Sequence, residues 1–399
     1  TAMPRSVDVL VIGGGPGGSI AARRCAEAGL RVLMIEKRQE IGAPVRCGEA
    51  IGAEGTRPYI DLDSKWIDAR ISRFAFCSAA GARTVLPSEL TLIVNRKVFD
   101  LELARLAARA GADVLARTQA ESLLTDANGN VCGARIRSLG APEEVRARIV
   151  IAADGTESQA ARWAGLKTVP ALSDLYAGLQ YLVCAPPGGW TPDIAEYHLG
   201  PSIAPGGYAW VFPKGDDVAN VGLVLGGDRA TEGEARVCLD RFLAKRVPGA
   251  SILSVAAGGI PVSGGLKQIS AGGLLVVGDA AHQAEPMTGG GINLAMMAAD
   301  LAAQTAIRAL RQDDVSASSL KSYDDAWRAR YGRQRAGLLS LRRLLAGMSE
   351  REYVDILATL ASQPPDKMNH GQLMLAAFVR HPRLLLEARA LVDIGIHLK

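Results

Sequence analysis

The chain has 399 residues, of which 48% are hydrophobic, and its formal net charge at pH 7 is +4. A chain of this size and composition can bury a large core divided between two or three domains. The positive charge is not gathered into a Lys/Arg run and only 5% of the residues are aromatic, so we expect no nucleic acid as a partner. The slight basic excess is compatible with an anionic substrate or a membrane surface.

The cysteines and the apolar segments indicate the compartment. The six cysteines are widely spaced and include no C-x-x-C pair, which predicts reduced thiols in a cytoplasmic protein. The same spacing indicates no zinc or iron–sulfur site, so we expect no bound metal. No apolar run reaches the length of about 18 residues that a membrane span needs. The apolar segment 7–12 is too short for a signal peptide.

A βαβ unit is predicted at the start of the chain. The apolar pattern indicates a strand at 6–12, a helix at 19–28 that ends at Gly29, and a second buried strand at 31–36. About 30 residues is the usual length of such a unit. We therefore expect a parallel sheet to begin here.

The turn of this unit, residues 13–18, contains the G-x-G-x-x-G pattern directly between the strand and the helix. Such glycines permit a tight turn and bring the backbone close to a pyrophosphate, which rests at the helix N-terminus. Glu36 ends the second strand, where a carboxylate can accept both hydroxyls of an adenosine ribose and would repel the extra phosphate of NADP. The pattern predicts a dinucleotide site and leaves FAD and NAD open.

The later elements follow from periodicity and turn residues. The sequence predicts a helix at 98–110, strands at 112–118, 121–125, 131–138 and 144–152, a mostly antiparallel sheet over 175–225, a strand at 274–277 and a helix at 291–311. The final part of the chain is predicted to be helical. Its segment 374–392 has a Leu/Ala/Arg face that would suit a core, a dimer contact or a membrane surface.

Three later segments carry a resemblance to known flavoproteins: Asp154-Gly155 after a buried strand, Gly278-Asp279 after another, and a glycine turn at 286–293 that opens a helix. Their order resembles that of the flavoproteins of the aromatic-hydroxylase fold. More narrowly, the chain resembles the geranylgeranyl reductase family, especially the archaeal-type digeranylgeranylglycerophospholipid reductases. The segments that carry this resemblance are 36–38, 41–49, 96–100, 152–155, 162–166, 208–214 and 288–292.

The resemblance implies an α/β (α+β) fold. A Rossmann-like FAD-binding domain with a parallel sheet would carry an inserted, mostly antiparallel substrate sheet and a helical C-terminal region. We expect the FAD-binding domain at 1–52, 96–168 and 268–312, the substrate-binding domain at 53–95 and 169–267, and the helical region at 313–399.

FAD is the cofactor that the resemblance implies. The expected FAD-binding positions are Gly13, Gly15, Gly17, Gly18, Glu36, Lys37, Arg46, Cys47, Gly48, Ala50, Arg96, Ala120, Asp154, Gly155, Gly278, Asp279, Pro286, Gly289, Gly290, Gly291 and Ile292. The glycine turn before the last helix would stabilise negative charge on the reduced flavin with its N–H groups and the helix dipole.

Cys47 is the one candidate catalytic residue, because the family places its loop near the flavin. The thiol could donate or relay a proton, with Arg46 and Glu49 setting its environment. The alternative is a small buried thiol whose backbone contacts FAD.

The family acts by reducing isolated C=C bonds in the prenyl chain of a lipid with hydride from reduced flavin. The residues expected to line an apolar substrate tunnel, with ordinary core packing as the alternative, are Tyr181, Tyr208, Trp210 and Phe212. Only one dinucleotide pattern is visible, so we expect an external electron donor, either NAD(P)H or ferredoxin. A prenylated lipid substrate would also suit peripheral attachment of a cytoplasmic protein to a membrane.

Two other functions fit parts of the sequence. The segment that ends at His282 is also common in hydroxylases, so an FAD-dependent monooxygenase acting on an aromatic or polyketide substrate stays open. A flavin- or lipid-binding protein without activity is the third interpretation. We expect His282 itself to be a packing or supporting residue, and the segments 44–49 and 208–214 favour the reductase.

Overall fold

The computed structural model describes residues 5–186 and 188–362, in which two eight-stranded sheets are joined by helices. In chain order the strands are β1 (Arg5–Ile12), β2 (Val32–Ile35), β3 (Ala50–Gly52), β4 (Ile67–Ser78), β5 (Arg83–Val94), β6 (Asp113–Leu115), β7 (Thr118–Thr125), β8 (Val131–Ser138), β9 (Ala141–Ala152), β10 (Leu175–Cys184), β11 (Ile194–Leu199), β12 (Tyr208–Pro213), β13 (Val218–Gly226), β14 (Ser251–Pro261), β15 (Ser270–Ala271) and β16 (Leu274–Val276). The helices are α1 (Pro16–Glu27), α2 (Ala53–Thr56), α3 (Arg96–Arg109), α4 (Ala160–Trp163), α5 (Glu234–Arg246), α6 (Ile292–Arg311), α7 (Ala317–Ala346) and α8 (Glu350–Ala361).

The first sheet has the order β15-β16-β9-β1-β2-β6, extended by the antiparallel strands β8 and β7. Its central strands β16, β9, β1, β2 and β6 are parallel. The residues Val9–Ile12 and all of β2 are buried, which is the continuous apolar pattern of strands covered on both faces. Helix α1 packs against α3 and α6, so the core lies between these helices and the sheet.

The second sheet has the order β14-β10-β13-β12-β11-β4-β5-β3. Its pairs are antiparallel except for β4 with β11, which are parallel. Helix α5 packs on β10 and β13 and covers one face of this part of the sheet. The other face is left to border the site described below.

The last two described helices, α7 and α8, lie against the first and the second sheet respectively. Helix α7 contacts α6, β15 and β16, and α8 packs against β4 and β5. Ser349 and Glu352 form a capping box that fixes the start of α8. None of the described helices combines the length and apolarity that a bilayer crossing requires.

The predicted fold class is confirmed, and the differences are local. Helix α1 begins at Pro16, earlier than predicted, because proline suits the first helical turn. The predicted strand 112–118 is divided into β6 and the start of β7, with Arg117 between them in the left-handed region at φ +49°. Strand β3 lies within the range assigned to the FAD-binding domain but pairs with β5 in the second sheet. The predicted amphipathic segment 374–392 lies outside the described residues.

Candidate active site

A cleft of about 810 Å³ lies between the carboxyl ends of the parallel strands and the face of the second sheet that α5 does not cover. The segments that follow β1, β2, β9 and β16 all line it, as expected for a ligand site at the carboxyl edge of a parallel sheet. The predicted residues that border this cleft are Gly13, Gly15, Gly17, Glu36, Lys37, Arg46, Cys47, Gly48, Ala50, Arg96, Ala120, Asp154, Gly155, Tyr208, Trp210, Phe212, Gly278, Asp279, Gly289, Gly290, Gly291 and Ile292.

The glycine turn at 13–18 allows the protein backbone to come close to a ligand. A Cβ on Gly13 would lie 2.3 Å from the carbonyl oxygen of Ala153, and one on Gly18 would lie 1.8 Å from the carbonyl oxygen of Gly13. A Cβ on Gly15, by contrast, would meet no protein atom within 4 Å, since it faces the cleft. No side chain caps the start of α1, so its first N–H groups are available to a pyrophosphate. Gly18 itself serves the packing of the turn and does not line the cleft.

Glu36 lies beside this turn at the end of β2. Its carboxylate accepts hydrogen bonds from the backbone N–H groups of Gly14 and Arg38, each at 2.9 Å. The carboxylate is thereby held at the cleft, where it can accept ribose hydroxyls.

Two aspartates that follow strands of the first sheet, Asp154 after β9 and Asp279 after β16, line the cleft. The carboxylate of Asp154 is used within its own loop, where it accepts from Ser158 Oγ at 2.7 Å and from Gln159 N at 2.9 Å. Asp279 accepts one bond, from Thr156 Oγ1 at 3.3 Å, and burial raises the pKa of its carboxyl group. Asp279 therefore has acceptor capacity left for a hydroxylated ligand, which fits the ribityl chain of FAD.

The glycine turn at 289–291 opens helix α6 beside Asp279, since a Cβ on Gly291 would lie 3.1 Å from Asp279 Oδ1. No side chain caps this helix, and its first residues line the cleft. Its first N–H groups and the positive end of the helix dipole are therefore available to a ligand there. Glu285 shapes the turn by accepting from the backbone of Met287 at 2.8 Å and of Thr288 at 2.7 Å. Tyr208 OH in turn donates to the Thr288 carbonyl at 2.5 Å, which ties the turn to the second sheet. Pro286 is buried and does not line the cleft, in contrast to the prediction.

The Cys47 loop lies between the two sheets. Gln180 Nε2 donates to the Cys47 carbonyl oxygen at 3.0 Å, and Glu49 N–H donates to Cys47 Sγ at 3.2 Å. Burial raises the pKa of the Cys47 thiol, and the guanidinium of Arg96 opposes that rise only in part. Arg46 does not set this environment as predicted, because its guanidinium lies 3.5 Å from the exposed carboxylate of Glu157.

An aromatic wall covers the second-sheet side of the cleft. Trp210 and Phe212 of β12 are stacked at 5.9 Å between ring centroids, and Tyr208 lies 5.8 Å from Trp210. Tyr197 and Phe74 from the neighbouring strands extend this wall, with Tyr197 5.4 Å from Phe212. Neither Tyr197 nor Phe74 belongs to a sequence motif, so only the strand register reveals them.

The prediction that Tyr181 lines the tunnel is wrong. Side chains alternate along β10, so Gln180 faces the cleft and Tyr181 faces α5. There Tyr181 OH donates to Asp240 at 2.8 Å. Gln180 is the residue of this strand that sequence reasoning missed.

Two further points concern the expected chemistry. His282 is buried and bonded to Ser263 Oγ at 3.2 Å, and burial lowers the pKa of its ring. It does not line the cleft, which agrees with a supporting role. Within the described residues no group of three or more His, Cys, Asp or Glu side chains could hold a metal ion.

Comparison with known proteins gives a consistent result over nearly the whole chain. Residues 174–260 match the family described as geranylgeranyl reductase catalytic domain, 8–169 match FAD dependent oxidoreductase, and 263–334 match FAD binding domain. The chain is 39% identical to digeranylgeranylglycerophospholipid reductase 2 of Methanococcoides burtonii, over 96% of this chain and 95% of that protein. It is 40% identical to the digeranylgeranylglycerophospholipid reductase of Methanoculleus marisnigri, over 98% of this chain and 99% of that protein.

Solved structures agree. A geranylgeranyl bacteriochlorophyll reductase-like protein from Thermoplasma acidophilum superposes with a TM-score of 0.92 at 35% identity, covering 98% of this chain and 99% of that one. A flavin-dependent brominase superposes with a TM-score of 0.72 at 17% identity, covering 97% of this chain and 93% of that one, which shows a shared fold alone.

Proposed function

This chain belongs to the geranylgeranyl reductase family, and from that premise we propose that it hydrogenates C=C bonds in the geranylgeranyl chains of a membrane lipid, with FAD as cofactor. The relatives named digeranylgeranylglycerophospholipid reductase make an archaeal-type prenylated glycerophospholipid the substrate class that we favour. A related isoprenoid belongs to the same chemical class.

The observation that carries this proposal is the division of one cleft into two chemically different halves. The half at the first sheet is formed by glycine turns, Glu36 and Asp279, and suits a dinucleotide. The half at the second sheet is an aromatic wall of Tyr208, Trp210 and Phe212, and suits a hydrocarbon chain. The Cys47 loop lies where the two halves meet.

An isolated alkene carries no polar group that the protein could polarise, so both hydrogens must be delivered to it in place. FAD, when bound and reduced, supplies the hydride. We assign the matching proton to the Cys47 thiol. Burial raises its pKa, so the thiol keeps its proton at neutral pH and can donate it. The aromatic wall keeps bulk water from the reacting carbons.

Because the sequence contains a single G-x-G-x-x-G pattern, we assign the reduction of FAD to an external donor, either NAD(P)H or ferredoxin. A lipid substrate with long chains is reached most directly at a bilayer, so we place the protein in the cytoplasm with peripheral attachment to the membrane.

An anaerobic single-turnover experiment tests the function. The FAD-loaded protein is reduced with dithionite and mixed with a geranylgeranyl glycerophospholipid, and the products are analysed by mass spectrometry. We expect a gain of two hydrogens per reduced double bond together with reoxidation of the flavin. Cys47→Ala should slow this step, whereas Cys132→Ala, a change on β8 outside the cleft, should not.

The opposite outcome is equally clear. If the flavin stays reduced until air is admitted, and the product of an aromatic substrate then gains one oxygen atom, the protein is a monooxygenase. If the reduced flavin reacts with neither class of substrate, the protein is a flavin- or lipid-binding protein without activity.

A further inference from the structure

A buried cluster of charges lies directly behind the Cys47 loop. Glu49 is 4% exposed, and one of its carboxylate oxygens, Oε2, accepts from Lys214 Nζ and from Asn220 Nδ2, the latter at 2.8 Å. Lys214 also lies 2.9 Å from Asp68 and donates to the Val94 carbonyl at 3.1 Å. The cluster joins β4, the end of β5, the residue after β12 and β13 to the loop that carries Cys47.

Glu49 connects this cluster to the thiol and to its neighbouring cation. Its own N–H donates to Cys47 Sγ at 3.2 Å, and its other carboxylate oxygen, Oε1, accepts from Arg96 N at 2.8 Å. The Arg96 guanidinium is paired in two bonds with Asp100, at 2.8 and 2.7 Å, and it lines the cleft. Glu49 therefore holds both neighbours: its backbone N–H bonds to the thiol, and its carboxylate fixes the start of the helix that bears the Arg96 cation.

The backbone of Glu49 adopts φ +67°, in the left-handed region that non-glycine residues avoid. Burying an ion pair is also a poor way to gain stability, because both charges lose their hydration. Strain and buried charge at one residue are typical of functional sites, where surrounding contacts hold a conformation that the chain would not choose.

We propose that Glu49 and Lys214 are positioning residues for the Cys47 thiol: their ion pair holds the loop, and the balance of their charges sets the thiol's proton affinity. The inference rests on the proposed reductase function only for the use made of that proton. The cation of Lys214 neutralises Glu49 at Oε2, the oxygen that does not bond to the Arg96 N–H, so that the carboxylate can anchor the loop without presenting a full negative charge to the thiol.

The groups that face Cys47 make the sign of each change definite. They are Glu49 of its own loop, Arg96 of α3 and Tyr208 of β12, with Asp100, Lys214 and Asp68 acting through these partners. Removing Lys214 leaves Glu49 uncompensated, which disfavours the thiolate. Removing the charge of Glu49 leaves Arg96 and Lys214, which favours it.

Two variants that break the same ion pair should therefore move the Cys47 pKa in opposite directions. In Lys214→Met the pKa should rise, and in Glu49→Gln it should fall, each by about half a unit to one unit. The pKa is measured on the FAD-loaded protein from the pH dependence of iodoacetamide alkylation, followed on the Cys47 peptide by mass spectrometry. Retained flavin absorbance shows that each variant is folded.

Further variants make the test independent of a single substitution. Lys214→Arg keeps the cation and should leave the wild-type titration unchanged. Asp68→Asn should lower the thiol pKa as Glu49→Gln does, although the Asp68 side chain is more exposed than that of Glu49. Lys97→Met is the matched control, because Lys97 on the same helix as Arg96 pairs with the exposed Glu40 at 3.2 Å and should leave the titration unchanged.

The proposal would be overturned if the Cys47 pKa moved equally and in the same direction in Lys214→Met and Glu49→Gln, or moved in neither. The loss of a merely structural contact would change this pKa in the same direction in both variants. The titration needs no prenyl lipid. Its failure is therefore distinguishable from a failure of the reductase assay.

Discussion

The carboxylate of Glu36 accepts the backbone N–H of Gly14 at 2.9 Å, and this bond fixes the end of β2 against the glycine turn that follows β1. Two segments separated by a helix are thus held in one geometry by bonds within the protein. Because both carboxylate oxygens of Glu36 have a backbone donor, the side chain cannot turn away from the cleft. Such preorganisation lowers the entropic cost of binding a dinucleotide.

The first prediction concerns the charge at this position. Glu36→Gln keeps an acceptor oxygen for Gly14 but removes the negative charge that we assign to the ribose hydroxyls. Hydrogen bonds to charged groups contribute about 1.5–3 kcal/mol, so the Kd for FAD should rise roughly 10-fold or more. Titration of the apoprotein with FAD, followed by flavin fluorescence, measures this. Glu40→Gln is the control, and equal affinity in both variants would contradict the assignment.

The second prediction separates ligand contact from packing in the glycine turn. In Gly15→Ala the new methyl group meets no protein atom within 4 Å, so the free energy of unfolding of the apoprotein should change by less than about 0.5 kcal/mol. The methyl group points into the cleft, so the FAD affinity should fall. In Gly18→Ala the methyl group would lie 1.8 Å from the Gly13 carbonyl oxygen, and the apoprotein itself should lose about 1–3 kcal/mol.

Urea unfolding of both apoproteins, together with FAD titration, tests this pair of changes. If Gly15→Ala destabilised the apoprotein as much as Gly18→Ala does, the assignment of Gly15 to a ligand contact would be wrong.

The turn and Glu36 could be predicted because local chemistry determines them. A glycine turn between a buried strand and a helix, followed by an acidic residue at the end of the next strand, predicts a dinucleotide site in any chain with a βαβ unit. The aromatic wall is different, because Phe74 comes next to Tyr197 through the register of β4 with β11, two strands that are distant in sequence. No period or motif in the sequence carries that register.

Tyr181 shows that the sequence also does not determine which face of the sheet a side chain takes. Aromatic content identified β10 as part of the sheet, but which face a side chain takes depends on one residue of register. Gln180 and Asn220 cannot be identified from sequence, because a single amide gives no signal until the fold places the Cys47 loop against it.

The third prediction uses the two faces of this sheet. Tyr181→Phe removes the bond to Asp240 beneath α5 and should cost about 1 kcal/mol of stability, without changing the rate of double-bond reduction. Tyr208→Phe removes the bond to the Thr288 carbonyl at the cleft. The loosened turn should slow the single-turnover reduction roughly fivefold, the equivalent of one neutral hydrogen bond. A slower reaction in Tyr181→Phe would place that residue at the substrate after all.

The fourth prediction concerns acid stability and lies away from the cleft. Glu196 of β11 is 5% exposed and is bonded to His198 Nε2 at 2.9 Å and to Arg246 Nη2 at 2.7 Å. Burial alone would raise the pKa of Glu196, but the bonds from His198 and Arg246 outweigh it and lower the pKa to about 2. A carboxyl group with a lowered pKa in the folded state stabilises the protein above its unfolded pKa. That contribution is lost as the pH falls through the range from about 5 to 2.

Between pH 7 and pH 3 this group should account for about 2 kcal/mol of the loss in the free energy of unfolding. Glu196→Gln should be less stable at pH 7 and should show a correspondingly smaller loss towards pH 3, measured by urea unfolding at both pH values. Glu121→Gln is the matched control, because the Glu121–Arg137 pair is exposed and screened by solvent. If Glu196→Gln and the wild type lost equal stability over this range, another group would be responsible for the acid sensitivity.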